Sequence, residues 1–94
     1  MDIKKSFASA LKVIRKSKGL TQEDFSVTSS RTYLSSLERG LKSPTLEKID
    51  AIAQTLSVHP LTLLTLTYVH LEHKNSKEIF ELLSTQIEGL KLKI

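Results

Sequence analysis

Two glycines, Gly19 and Gly40, set the tightest limit on what this 94-residue chain can become. Gly19 closes a run containing Lys16 and Lys18, and Gly40 closes a second run ending at Arg39. Basic residues suit the negative end of a helix, and glycine suits the left-handed position just beyond it, so each reads as a helix stop. The 20 residues between them also hold two helix starts: Thr21, backed by the acidic Glu23 and Asp24, and Ser29 or Ser30 ahead of Arg31. Leu20 and Phe25 stand at the two ends of a hydrophobic staple around the first start. Val27-Thr28-Ser29-Ser30 is poor in helix formers and keeps that first helix short. Two short helices with a joint of a few residues are what fits the interval.

The rest of the chain continues in helical periods. Ile3, Phe7, Ala10, Leu11 and Ile14 recur at spacings of three and four, giving one apolar stripe before Gly19. Thr45 caps a fourth helix that buries Leu46, Ile49, Ile52, Ala53 and Leu56. Pro60 opens a fifth at its first position, with Val58 and Leu63 as another staple. Leu64, Leu66, Tyr68 and His70 alternate in the manner of a strand, but Leu61, Leu64, Tyr68 and Leu71 also keep helical spacing, and the Pro60 start favours the helix. Asn75 and Glu78 form a capping box for a last helix with Ile79, Leu82, Leu83, Ile87 and Leu90 on one face. The expected fold is all-α: five helices over residues 1–73, then a sixth amphipathic helix within 74–94 that belongs to the same domain.

Composition narrows the function. A hydrophobic share of 39% supports a core, but a small one, so a second copy of the chain is a reasonable partner. With no cysteine there is no disulfide framework and no thiolate metal site, which fits a cytoplasmic location. The most apolar stretch, Leu61 to Leu71, is interrupted by Thr62, Thr65, Thr67 and His70, and is too short for the ~20 apolar residues of a membrane span. No glycine-rich phosphate loop, nucleophile elbow or zinc-protease pattern is present, so no enzyme, cofactor or small-molecule ligand is expected. His70 and His73 lie three apart without a third ligand and read as solvated or partly packed side chains, so no metal is expected.

The charge is uneven. Residues 1–44 carry nine basic and four acidic groups, a balance of +5, whereas residues 45–94 carry five basic and six acidic groups, a balance of −1. The front half is therefore the candidate anion-binding half. A close helix pair in a basic half is a geometry in which the second helix can enter a major groove.

The strings Gly19-Leu20-Thr21-Gln22-Glu23-Asp24-Phe25, Ser30-Arg31-Thr32-Tyr33-Leu34-Ser35-Ser36-Leu37-Glu38-Arg39-Gly40 and Ser43-Pro44-Thr45-Leu46 resemble the phage-repressor and Cro-like helix-turn-helix family, with similarity running on through Val58-His59-Pro60-Leu61. The resemblance implies a five-helix DNA-binding domain that works as a dimer in transcriptional control. It places Gln22 on a phosphate, Arg31, Thr32 and Ser36 on the outward face of the recognition helix, and Arg39 and Lys42 on the DNA backbone. It also pairs Arg15 with Glu38 in a structural salt bridge. The chain departs from the family pattern at the turn, which is about two residues shorter, with Thr28 for a glycine and Ser29 for an apolar residue.

Side-chain chemistry fills in the assignments. Arg31 can reach guanine O6 and N7 with two hydrogen bonds, worth ~1–3 kcal/mol of discrimination. Thr32, Ser35 and Ser36 offer short hydroxyls or a methyl to base edges, and such a sparse set of readers leaves room for DNA shape to contribute. Gln22, Tyr33, Arg39 and Lys42 suit phosphate oxygens. Leu63, Leu66, Tyr68, Ile79, Leu82, Leu83 and Ile87 are the candidate dimer interface; the alternative is a sixth helix folded back to complete a monomer core.

The expected function is a sequence-specific, DNA-binding transcriptional regulator, a homodimer on a palindromic operator in its own or a neighbouring promoter. Small members of the family include restriction–modification controller proteins, repressors and antitoxins. A protein-interaction or antitoxin-like module on the same fold, with weak DNA reading, is the alternative.

Overall fold

The computed structural model describes residues 2–27 and 29–91. The departure at Thr28, and the last three positions of the 74–94 segment, lie outside the described residues. Among the described residues five α-helices follow one another: α1 (Ile3–Ser17), α2 (Arg31–Glu38), α3 (Leu46–Leu56), α4 (Pro60–Glu72) and α5 (Ser76–Gly89), with a 3-10 turn at Gln22–Phe25 between α1 and α2. The fold is all-α. Among the described residues no helix is long and apolar enough to cross a membrane.

The ends of these helices follow from the sequence. Asp2 opens α1, its carboxylate accepting from the Lys5 amide at 2.8 Å. The chain leaves α1 through Gly19 at φ +69° and leaves α2 through Gly40 at φ +72°. At both exits the glycine amide and the next amide turn back onto helix carbonyls: Gly19 to Lys16 and Leu20 to Arg15, then Gly40 to Leu37 and Leu41 to Ser36. These are Schellman closures, which need a left-handed residue at the stop. Thr45 caps α3, the His59 ring accepts from the Leu61 amide ahead of α4, and Asn75 and Glu78 exchange bonds at the start of α5.

The second of the expected helices is the 3-10 turn, one turn long. Asp24 accepts both the Thr21 amide at 2.7 Å and the Thr21 hydroxyl at 3.1 Å, which ties the start of the segment tightly. The serine and β-branched residues that follow Phe25 have poor helix propensity and give it nothing to propagate into. The ambiguous segment after Pro60 is helical throughout, as α4.

Phe7, Leu11 and Ile14 of α1 meet Leu34 and Leu37 of α2, Ile52 and Leu56 of α3 and Leu63 of α4, with Phe25 of the turn inserted among them. The most extensive packing joins α1 to α4, while α5 packs along α4. Two expected interface residues belong to the interior. Leu63 is 0% exposed and sits in the core, and Ile79 is 5% exposed and is the buried residue of α5. Because α4 is apolar on several sides, its spacing alone does not say which leucine faces inward.

Ser6 lies fully buried in α1, and among the described residues its hydroxyl has no hydrogen-bond partner. A buried hydroxyl without a partner costs stability. Ser6→Ala is therefore expected to raise the stability by about 1 kcal/mol, seen as a rise of roughly 4 °C in thermal midpoint. A fall in the midpoint would show that the hydroxyl is satisfied.

Candidate nucleic-acid interface

The candidate interface is built around α2, an eight-residue helix held at both ends. At its start, the Ser30 hydroxyl accepts from the Tyr33 amide at 3.1 Å. Near its end, the Glu38 side chain is 2% exposed and receives Arg15 through Nε at 2.5 Å and Nη2 at 2.9 Å. Arg15 also donates through Nη1 to the Leu20 carbonyl at 2.8 Å, so one guanidinium joins α1, the chain after Gly19 and α2. The hydrogen bond and charge of Glu38 push the Arg15 pKa above its ordinary value, against the opposing effect of burial. The planar fork of arginine matches a carboxylate with two parallel bonds, which fixes angle as well as distance.

Gln22 is part of the same arrangement. Its amide nitrogen donates to Glu38 Oε1 at 3.2 Å, so the first residue of the 3-10 turn is tied to the last residue of α2. Among the described residues, the side chain keeps its carbonyl oxygen and remaining N–H for other use.

Arg31, Thr32 and Arg39 are exposed, and Ser35 is half-buried. Ser36 is not on the outward face. It is 6% exposed, and its hydroxyl donates to the Thr32 carbonyl one turn back at 3.0 Å. Ser36 follows Ser35 by one position, which rotates it ~100° around the helix, here toward the core beside Leu37. Its expected contact with a base edge is corrected on that ground.

A cluster of cations flanks Tyr33. The ammonium groups of Lys42 and Lys48 lie 5.6 and 5.4 Å from the centre of its half-buried ring. Cations this close to an aromatic face are attracted to it. Arg39 points its Nε toward the Ser35 carbonyl at 3.4 Å and remains exposed.

Two neighbours of the interface escape a reading of the sequence alone. Lys48 lies on α3, six residues after Lys42, and joins the Tyr33 cluster only when α3 packs. Glu23 pairs with Arg31, Oε1 to Nη1 at 3.2 Å, across eight residues of chain. Neither separation has a helical period that would flag it.

The candidate dimer residues divide. Leu66 is half-buried against the core and lines a hollow with Ile14 and Phe80. On another side of α4, a groove of about 440 Å³ is lined by Leu61, Leu64, Tyr68, Leu82 and Leu83, among others. Ile87 is exposed further along α5.

A family model described as helix-turn-helix matches residues 11–63. That span runs from the middle of α1 to the start of α4 and contains the 3-10 turn, α2 and the Arg15–Glu38 clamp. The chain is also similar to a protein of Sinorhizobium fredii described as an uncharacterized HTH-type transcriptional regulator, 44% identical over 69 residues that cover 71% of this chain and 90% of that one. No solved structure gives a significant match.

Proposed function

From the premise that the chain belongs to the phage-repressor and Cro-like helix-turn-helix family and is a DNA-binding transcriptional regulator, we propose that it reads a palindromic operator as a homodimer. The observation that carries this reading is the set of groups left outward by α2 and the loop after it. Arg31, Thr32 and Ser35 stand on the outer side, while Arg39 and Lys42 flank them as exposed cations. Arg31 reads guanine, Thr32 and Ser35 touch base edges, and Gln22, Tyr33, Arg39 and Lys42 hold phosphates. The Arg15–Glu38 clamp sets the angle of α2 against α1 and so the angle at which these groups meet a groove.

The partner in the homodimer is a second copy set against the α4–α5 groove. Tyr68, Leu82 and Leu83, with Ile87 beyond them, make an exposed apolar surface there. A two-fold pair places two copies of α2 on half-sites about one helical turn, ~34 Å, apart. Pairing makes operator occupancy steep in the concentration of the protein itself. That steepness suits control of its own or a neighbouring promoter, in the manner of a controller protein or repressor.

Selection from a random duplex pool at moderate salt tests the reading. Enrichment of an inverted repeat supports it, and the spacing gives the half-site distance. No enrichment by folded protein favours the interaction-module reading, to which the same apolar surface would belong. With an operator in hand, Arg31→Ala is expected to relax one base position, costing ~1–3 kcal/mol there. Lys42→Ala is expected to weaken all duplexes alike. Equal base preference in wild type and Arg31→Ala, measured by competition binding, would remove Arg31 as the reader.

A further inference from the structure

We infer that Glu23 is a positioning residue for sequence reading: it buttresses Arg31 toward a guanine edge and disfavours its use on phosphates. This rests on the reading of Arg31 above.

Arg31 is the first residue of α2, and the first turn of that helix holds no acid. A cation there meets the positive end of the helix dipole, which is unfavourable. Glu23, on the 3-10 turn, supplies the missing negative charge from outside the helix, 3.2 Å from Arg31 Nη1. Both side chains are about 70% exposed (71% and 72%), so the pair stands at the surface where DNA would arrive.

The geometry of the contact matters more than its strength. Glu23 engages Nη1 alone. Among the described residues nothing takes the edge formed by Nε and Nη2, and that edge carries the two parallel N–H groups that match guanine N7 and O6. Arg31 can therefore keep Glu23 and take a guanine together. It cannot keep Glu23 and take a phosphate equally well, because a phosphate brought to the same guanidinium approaches the Glu23 carboxylate as a like charge. Base edges carry no net charge and escape this penalty. Removing the carboxylate thus strengthens binding to any duplex through the backbone, while the gain at the operator is smaller because orientation is lost.

The test is Glu23→Gln, alone and combined with Arg31→Ala, with thermal unfolding to show that all variants are folded. Each is measured for operator and random-sequence duplex affinity at one salt concentration. Glu23→Gln is expected to narrow the operator-to-random ratio by about three- to five-fold, the upper part of what an exposed ion pair supplies. The loss of preference should fall at the base position that Arg31→Ala relaxes. In the Arg31→Ala background, Glu23→Gln is expected to leave the ratio unchanged. If Glu23→Gln shifts both affinities equally, or narrows the ratio as much without Arg31, then Glu23 acts only through general charge and the inference is overturned. If wild type is selective and Arg31→Ala is equally so, the inference fails with its premise about Arg31. A wild type that shows no preference at all overturns the functional reading as well.

Discussion

Glu38→Ala is expected to destabilise the protein by about 3–5 kcal/mol, a large part of the ~5–15 kcal/mol that holds a domain folded. The reason is not that the ion pair contributes this much. Two charges removed from water lose hydration, and their mutual attraction roughly restores it. Removing one carboxylate leaves the Arg15 guanidinium, a group that stays charged at any ordinary pH, at a site prepared for its partner. Gln22 loses its acceptor at the same time. Replacing both charges by apolar residues, as in Arg15→Met with Glu38→Leu, is expected to recover most of the loss. Urea unfolding of wild type, both single variants and the pair checks this. A cost under 1 kcal/mol for Glu38→Ala would mean that the clamp behaves as a solvated surface pair. Loss of the clamp also frees α2 to change its angle against α1, so DNA affinity should fall even under conditions where the variant remains folded.

The second large effect is on binding rather than folding. If Arg39 and Lys42 each neutralise a phosphate in both protomers, four counterions are released per dimer. The logarithm of the association constant then falls with the logarithm of salt at a slope near −3.6. Between 50 and 200 mM salt the affinity drops about 150-fold. Lys42→Ala removes one contact per protomer and brings the slope toward about −1.8. Titrations of a labelled duplex at four or five salt concentrations measure both slopes. A wild-type slope near zero would assign the cations around Tyr33 to packing rather than to DNA.

Much of the architecture was legible because helix boundaries are local chemistry. The glycine stops, the Thr45 cap, the proline opening of α4 and the Asn75–Glu78 box are each written within four residues, and each forms. What required the folded chain was the direction in which each face points. Ser36 and Ser35 are the same residue type, and only packing against Leu37 and its neighbours decides which is turned inward. Leu63 reads both as a staple partner of Val58 and as an interface candidate because α4 carries leucines at 61, 63, 64, 66 and 71, so no single stripe marks its buried side. The Arg15–Glu38 pairing came from likeness to a family, since a separation of 23 residues has no local signature. Glu23 was legible as a helix-start acid, which is its backbone role; its second role beside Arg31 depends on the turn and α2 being brought together.

The helix shared by both halves of the molecule has one more consequence. α4 gives Leu63 to the core it builds with α1, and Leu61, Leu64 and Tyr68 to the groove beside α5. The rotation of α4 about its own axis therefore fixes the bearing of that groove relative to α2. One residue inserted in α4 would turn everything beyond it by ~100° and advance it by ~1.5 Å. Two reading heads coupled across the groove would then fall out of phase with the duplex, even with every DNA-facing side chain intact. In the proposed dimer, the spacing of the operator would in that sense be set away from α2, in the length of α4.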